Sequence, residues 1–293
     1  MTLKTIAETV GVSRTTVSNA YNRPDQLAPE LRERILRTAR GLGYSGPDPA
    51  ARRLRSGRRD AVGLLLAGGL SRAVADPAAV QLLGGIARAT EAAGLAMLVI
   101  PERGDGVRDA VVDALCLCAM AADHPSVAAA QVRGLPLVVV DAPRLDGHAF
   151  VTCEDRRGAR LAAEHLLALG HRRFSVLTER GDGERLAGYR DALSAAGAEW
   201  TETPSFEPGA TAVLAATDCL ALGVLEAGVR VPEEVSVVGF DDIPAAAAAG
   251  LTTVRQPLFE KGEIAGRLLS EGTVDEVVLP VELVVRGSTN VPA

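Results

Sequence analysis

The N-terminal segment carries apolar side chains at the spacing of three short helices. Ile6 and Val10 lie one helical turn apart, and Gly11 behind them predicts the end of the first helix. Ser13 is placed to cap a second helix that has Val17 on its inner side. A third apolar stripe, opening behind a proline, consists of Leu31, Ile35, Ala39 and Leu42. The pattern predicts three helices around one small core, the first two joined by a tight turn.

From residue 61 onward, short β-rich apolar runs alternate with helical segments. AVGLLLA, LAMLVIP and LPLVVVD indicate strands, and VQLLGGIARATEAAG indicates a helix between the first two. The alternation repeats after residue 155, which predicts an α/β fold with parallel sheets in two similar lobes. We expect crossings between the lobes near Val151, Thr253 and Val281. Two lobes joined in this way enclose a cleft at the carboxyl ends of their strands, where a small polar ligand can bind.

Donor-rich side chains cover the outer side of the second helix. A row of hydroxyl, amide and guanidinium groups of this length can reach base edges in a major groove. The residues that we predict to contact DNA in this region are Thr5, Ser13, Arg14, Thr15, Thr16, Ser18 and Asn19. The alternative is a packing motif with a solvated polar face.

The distribution of charge favours the DNA-binding interpretation. Residues 1–60 contain twelve Lys and Arg but six Asp and Glu, a net charge of +6, whereas the whole chain carries −6. A basic head on an acidic body concentrates positive potential where it would meet phosphate. We therefore predict a helix-turn-helix headpiece in residues 1–46, a hinge helix or linker in 47–60, and a two-lobed effector-binding and dimerisation domain in 61–293.

The stretch from Asp48 to Gly57 has the caps of a helix of about two turns, which is too short to be stable alone in water. Its one exposed apolar side chain, Leu54, stands among arginines that include Arg52, Arg53 and Arg55. A leucine in that setting suits insertion between base steps of a minor groove, with the arginines on phosphates. The alternative is a flexible cationic linker.

These residues resemble the lactose-repressor (LacI/GalR) family of bacterial transcription regulators, from Thr2 to about Thr289. In the headpiece the resemblance rests on TIAETVGVSRTTVSNAYN, ARGLGY and AARRL. In the body it rests on GARLAAEHLLALGHRR, RLAGYRDAL, TAVLAATDCLALG, VPEEVSVVGFDD, LTTVRQP and VELVVRGST, in the family's order. The resemblance implies an all-α headpiece followed by a periplasmic-binding-protein-like domain. It also implies base reading by Arg14, Thr15 and Asn19, and a minor-groove wedge at Leu54.

The resemblance further places effector contacts on Asp155, Arg185, Thr217 and Asp241. Two carboxylates and a guanidinium can hold vicinal hydroxyls of a sugar by charge-assisted hydrogen bonds. Helix capping is the alternative role for each aspartate, and a surface ion pair is the alternative for Arg185.

The chain departs from the family pattern within the body. Thr217 stands where the family usually has Asn, which removes an amide donor. The interval from Pro101 to Val112 has room for barely two helical turns, and between Trp200 and Thr211 a helix and its flanking strand are expected to be missing. A shallower or altered pocket is the expected consequence.

Other classes of function find less support in the sequence. The four cysteines lack paired metal-ligand spacing and are expected to be buried free thiols, and we predict no metal or cofactor. No apolar run reaches 18 residues and no leader is seen, so we expect a cytoplasmic protein. No acid, base and nucleophile assemble into an enzyme site.

We therefore expect a homodimeric transcriptional repressor that binds double-stranded operator DNA under the control of a sugar-like effector. The alternative is a small-molecule binding protein of the periplasmic solute-binding type, without regulatory DNA binding.

Overall fold

The computed structural model describes residues 2–46, 57, 59–102, 105–141, 143–178 and 183–292 of the 293-residue chain. The chain divides into two compact units, residues 1–59 and 60–293, which are described separately.

The N-terminal unit is a small helical fold whose helices begin and end where the sequence predicts. It contains α1 (Leu3–Val10), α2 (Arg14–Asn22), a 3₁₀ turn (Pro24–Gln26) and α3 (Pro29–Gly41). Gly11 ends α1 in the left-handed conformation with φ 76°, and the Ser13 hydroxyl caps α2 by accepting from the Thr16 amide. The shared core consists of Ile6, Ala7, Val17, Ala20, Ile35 and Ala39.

The second unit, called the body below, alternates strands and helices along its whole length. In chain order it contains β1 (Ala61–Leu66), α4 (Gly69–Ala75), α5 (Pro77–Ala92), β2 (Ala96–Val99), α6 (Gly106–Asp109), β3 (Ala114–Cys118), α7 (Pro125–Val132), β4 (Leu137–Val140), β5 (Ala149–Cys153), α8 (Asp155–Ala168), β6 (Arg173–Leu177), α9 (Gly183–Ala195), β7 (Glu199–Thr203), β8 (Ala212–Ala215), α10 (Asp218–Glu226), β9 (Ser236–Asp241), α11 (Pro244–Ala248), β10 (Thr252–Arg255), α12 (Leu258–Glu271), β11 (Glu276–Leu279) and β12 (Glu282–Val284).

The strands form two six-stranded sheets, one in each lobe. The first has the order β11-β5-β4-β3-β1-β2 and is parallel throughout. The second has the order β12-β10-β9-β8-β6-β7, and its edge strand β12 runs antiparallel to β10. Both sheets have the β-α-β connections that the alternating pattern predicts.

The chain crosses between the lobes three times, at the positions that the sequence predicts. Only Glu154 separates β5 from α8, and β11 is followed after two residues by β12 of the other sheet. The third crossing runs from β10 to α12, which packs on the first sheet. The residues at these short crossings are therefore held by both lobes.

The connections that follow the two edge strands are reduced, as the interval lengths predict. The link between β2 and β3 holds the four-residue α6, and the fully described segment 204–211 between β7 and β8 contains no helix. The expectation that a strand is also missing there was wrong, because β7 pairs with β6 in parallel register. On the edge strand β2 of the first sheet, the apolar Leu98 is 42% exposed. On the edge strand β7 of the second sheet, the exposed residues Glu199 and Thr201 are polar.

Helices α5 and α12 of the first lobe approach each other through glycines. A Cβ atom at Gly85 would lie 2.0 Å from the Phe259 carbonyl oxygen, and one at Gly262 would lie 2.1 Å from the Leu82 carbonyl oxygen. Only residues without a side chain allow backbones to pack this closely. The contact fixes α12, and with it the crossing that runs from β10 to α12.

Candidate effector cleft and DNA-reading helix

Three of the four predicted effector residues meet in one charge cluster in the body. Asp155 is the first residue of α8, Arg185 lies on α9, and Asp241 ends β9. The Arg185 Nε atom lies 3.3 Å from Asp155 Oδ2, and its Nη1 atom lies 3.5 Å from Asp241 Oδ1. The guanidinium thus bridges two carboxylates that are distant in sequence.

The environment of Arg185 differs from that of a surface ion pair. Its side chain is 11% exposed, its Nη1 donates to the Ala216 carbonyl oxygen at 2.5 Å, and its guanidinium carbon lies 4.0 Å from the centre of the Phe240 ring. A guanidinium that stacks on an aromatic ring and donates hydrogen bonds from its edge is restricted to few side-chain conformations. Arg185 is therefore preorganised to hold the two carboxylates.

Burial disfavours the charged form of both aspartates. It raises the pKa of Asp241 to about 7, although Arg185 and the Gln256 amide lower it. Burial likewise raises the pKa of Asp155, again against Arg185. Asp155 has a second distinction: its Oδ1 atom is buried and has no hydrogen-bond partner among the described residues. The site therefore presents an acceptor that lacks a donor.

Helix capping does not account for Asp155. The N-cap position of α8 belongs to Glu154, and no side-chain cap bond is formed there. Thr217, by contrast, does cap a helix, because its Oγ1 accepts from the Leu220 amide at 3.2 Å. It borders the cluster through Ala216, whose carbonyl holds Arg185. The structure therefore unites Asp155, Arg185 and Asp241 and places Thr217 at the rim with a structural bond of its own.

Sequence reasoning missed the polar side chains that extend this cluster toward the first lobe. The Gln256 Nε2 atom donates to Asp241 Oδ1 at 2.6 Å. Lys261 is fully buried, and its Nζ atom donates to Gln256 Oε1 at 2.8 Å and to Asp141 Oδ2 at 2.5 Å. Thr152 completes the set by donating to Asp141 Oδ1 at 3.0 Å. A continuous chain of polar contacts therefore runs from the end of β4 to the end of β9.

One signal for this extension was present in the sequence. Lys261 lies three residues after Leu258 and four before Ala265, on the buried stripe of an amphipathic helix. A lysine on such a stripe requires a buried partner. Its partner Asp141 follows β4 and is 120 residues away, so only the fold identifies it.

In the headpiece, the predicted DNA contacts surround the start of α2. Arg14 and Thr15 are exposed, and their side chains make no hydrogen bond or ion pair to other described residues. The Ser13 hydroxyl pairs with that of Thr16 at 2.8 Å, and Thr5, in the first turn of α1, is half-buried. The start of α2 therefore combines two uncommitted side chains with a fixed cap.

The next turn of α2 is held by local hydrogen bonds. Ser18 accepts from the Asn22 amide at 3.2 Å, and Asn19 donates to Gln26 Oε1 at 3.3 Å. Both residues are half-buried, so contact with a base edge requires exchange of these bonds. The predicted hinge residues Arg52, Arg53, Leu54 and Arg55 lie outside the described residues, and their roles stay predictions.

The cysteines were the remaining candidates for chemistry. Cys116, Cys118 and Cys153 are buried free thiols as expected, but Cys219 is exposed, so that expectation was wrong for one of the four. Cys219 is the second residue of α10 and lies on its outer side. Among the described residues no three His, Cys, Asp or Glu side chains gather as a metal site requires. In the same part of the chain no helix is both long and apolar enough to cross a membrane.

Comparison with known proteins agrees with both units. Residues 2–46 match the family of bacterial regulatory proteins, lacI family, and residues 163–289 match the periplasmic binding protein-like domain. An HTH-type transcriptional regulator of Mycolicibacterium smegmatis is 38% identical over 354 aligned positions, covering 99% of this chain and 96% of the relative. The alignment is longer than the 293 residues of this chain, which agrees with the reduced connections after the edge strands.

Two solved structures extend the similarity to the fold. The lac repressor dimer bound to operator and the anti-inducer ONPF has a TM-score of 0.79 at 26% identity, with 99% of each chain covered. The transcriptional regulator CelR in complex with cellobiose has a TM-score of 0.68 at 28% identity, covering 98% of this chain and 99% of CelR. Because the helical headpiece and the two-lobed body both match, this chain belongs to the lacI family, whose members are transcriptional regulators and not enzymes.

Proposed function

We propose that the protein is a repressor that reads double-stranded operator DNA with α2 and responds to a small sugar-like effector bound at Asp155, Arg185 and Asp241. The observation that carries the effector site is the buried Oδ1 atom of Asp155, which no described residue pairs, beside a preorganised guanidinium. A buried acceptor without a donor is costly, and a ligand hydroxyl removes that cost. The cellobiose complex of CelR supports a carbohydrate as the ligand class.

The charge of the cluster favours a neutral ligand over an anionic one. Arg185 and Lys261 face three carboxylates, those of Asp155, Asp241 and Asp141, so neither cation is in excess. A phosphorylated sugar would add charge to a site already rich in carboxylate. We therefore expect uncharged polyhydroxyl compounds to bind in preference to their phosphates.

Residues at the start of α2 supply the DNA-binding part of the proposal. Arg14 and Thr15 are exposed at the end of a helix fixed by the Ser13 cap, as base reading in a major groove requires. The operator complex of the lac repressor supports this role. That structure is a dimer, and we propose that this protein also binds as a homodimer to two half-sites, in the cytoplasm.

Selection from random duplexes tests the DNA-binding function. We expect the purified protein to enrich an imperfect palindrome and to bind it at least about a thousandfold more tightly than a scrambled duplex at moderate ionic strength. Equal binding of the two duplexes would contradict the proposal.

A matched panel tests the effector. Cellobiose, ribose, glucose and glucose 6-phosphate are added to the complex with the selected duplex, and release or tightening is followed by fluorescence anisotropy. Asp155→Asn is the site variant, because its amide would place a donor where the ligand hydroxyl needs an acceptor. We expect this variant to lose the response of the wild type, whereas Arg156→Ala, on the exposed side of the same helix, keeps it.

A further inference from the structure

Lys261 has no exposed surface, yet its ammonium group has acceptor oxygens from two segments of the body. Asp141 follows β4 and Gln256 follows β10. An ammonium group has three donors and no acceptor, and two of its protons here meet the oxygens of Asp141 and Gln256. Burial alone would lower the pKa of Lys261, but Asp141 and its other neighbours raise it. The side chain is therefore a buried cation.

The position of that cation determines which way the Gln256 amide points. An ammonium only donates, so the oxygen of the amide must face Lys261. The amide nitrogen then faces Asp241 Oδ1, at 2.6 Å. In a reversed amide the nitrogen would face the Lys261 ammonium, a donor against a donor, and the oxygen would face the Asp241 carboxyl, an acceptor against an acceptor.

The orientation of the amide matters to Asp241 because burial acts against its carboxylate form. The other groups that influence the Asp241 carboxyl are Arg185 on α9, Asp218 on α10 and Asp76 at the start of α5. Among these groups Arg185 and Gln256 favour the ionised form, and the contact with Arg185 is the longer one, at 3.5 Å. The Gln256 amide is therefore the shortest polar contact that keeps Asp241 an acceptor.

We propose that Lys261 is a positioning residue for the effector site: its ammonium orients the Gln256 amide, whose nitrogen in turn holds the Asp241 carboxyl in place to accept from a ligand hydroxyl. The inference rests on the proposed effector site for its biological meaning, but the contacts from Lys261 to Asp241 stand without it. It assigns a role to α12, a helix of the first lobe, in preparing a carboxylate that belongs to the second.

The test is a titration of Asp241 in the full chain, without sugar or DNA. Proteins carrying aspartate labelled with ¹³C at the carboxyl carbon are titrated by NMR, and Asp241→Asn assigns the signal. Lys261→Met, Gln256→Met and the double variant are compared with the wild type. Arg88→Met is the control. Arg88 is an exposed cation on α5, and it pairs with Glu263 of α12, the helix that also carries Lys261.

We expect Lys261→Met and Gln256→Met each to raise the pKa of Asp241, the double variant to raise it no further than Gln256→Met, and Arg88→Met to leave it unchanged. If Lys261→Met leaves the titration unchanged, or if the two effects add, the route through the amide is refuted. A role in stability alone gives no such non-additivity.

Loss of the lysine removes the cation that pairs with the half-buried Asp141 carboxylate and leaves Thr152 as a donor to it, which weakens the fold. The same cycle is therefore repeated in an Asp141→Asn background, where that charge is absent, with the same expected and contradicting results. Since no effector is present, failure here is distinct from failure of the sugar panel.

Discussion

Backbone conformation at the residue scale marks the cleft independently of its charges. Asp141, Asp241 and Asp242 have positive φ values of 48°, 121° and 60°. Residues other than glycine rarely adopt positive φ values. Asp141 follows β4, Asp241 ends β9, and Asp242 comes directly after β9. Such strain persists where surrounding contacts fix it, and it concentrates at functional sites. For Asp241 those contacts are the bonds from Gln256 and Arg185.

The buried carboxyl of Asp241 makes stability depend on pH. Its pKa is about 7 in the folded chain, above the ordinary value of 3.8, so the folded state binds the proton more tightly. Its contribution is fully present below pH 3.8 and is lost as the pH rises through 7. As the pH rises from 5 to 8, we expect the free energy of unfolding of the wild type to fall by about 2 kcal/mol more than that of Asp241→Asn.

Urea unfolding at several pH values, followed by the fluorescence of the single tryptophan Trp200, measures this difference. Glu164→Gln, which removes an exposed carboxylate paired with Arg160, serves as the control and should follow the wild type. Parallel curves for Asp241→Asn and the wild type would show that the carboxyl titrates as it does in an unfolded chain.

At the scale of elements, the close packing of α5 on α12 depends on particular glycines. A Cβ atom at Gly85 would overlap the backbone of Phe259 and Glu263, whereas one at Gly84 would meet the Phe259 ring at 3.4 Å, an ordinary contact. We expect Gly85→Ala to destabilise the body by about 1–3 kcal/mol. Gly84→Ala should be neutral or up to about 1 kcal/mol stabilising, since alanine favours helix. Chemical denaturation of both variants, monitored by circular dichroism, compares them, and equal effects would contradict the close approach.

The reduced connection before β3 gives a second test at this scale. Val111 is 66% exposed and its neighbour Val112 is fully buried beneath the outer side of the first sheet. We expect Val112→Ser to cost at least about 2 kcal/mol and Val111→Ser less than about 0.5 kcal/mol. Thermal unfolding of the two proteins gives the difference. Comparable losses would mean that a further structure covers Val111.

The extent to which sequence predicted these elements follows from the range of the interactions. Helix caps such as Ser13 and Gly11 act within a few residues, so their positions were predicted correctly. The pattern also predicted the two lobes and their three crossings. The pairing of Lys261 with Asp141 depends on which strand ends meet at the cleft, and the strand β7 was overlooked because its exposed side is polar.

At the scale of the whole molecule, the proposed regulation is a coupling between two binding events. An effector changes operator affinity only by its differential affinity for the states of the body, and the operator must change effector affinity by the same factor. Couplings of this kind amount to about 1–3 kcal/mol, or about 5-fold to 150-fold.

Arg185→Ala is expected to abolish this coupling while leaving operator affinity in the absence of sugar unchanged, because Arg185 belongs to the body and the predicted base contacts to α2. Operator affinity is measured with and without the active sugar of the panel, and sugar affinity with and without operator. Arg185 lies between two buried carboxylates, so circular dichroism and thermal unfolding first establish that the variant is folded. Arg156 is an exposed ion-pair partner of Asp191. In Arg156→Ala, sugar should change operator affinity, and operator should change sugar affinity, by the same factor as in the wild type. If Arg185→Ala keeps the factor of the wild type, the cluster at Asp155 and Asp241 is not the effector site, even if the protein still selects its operator.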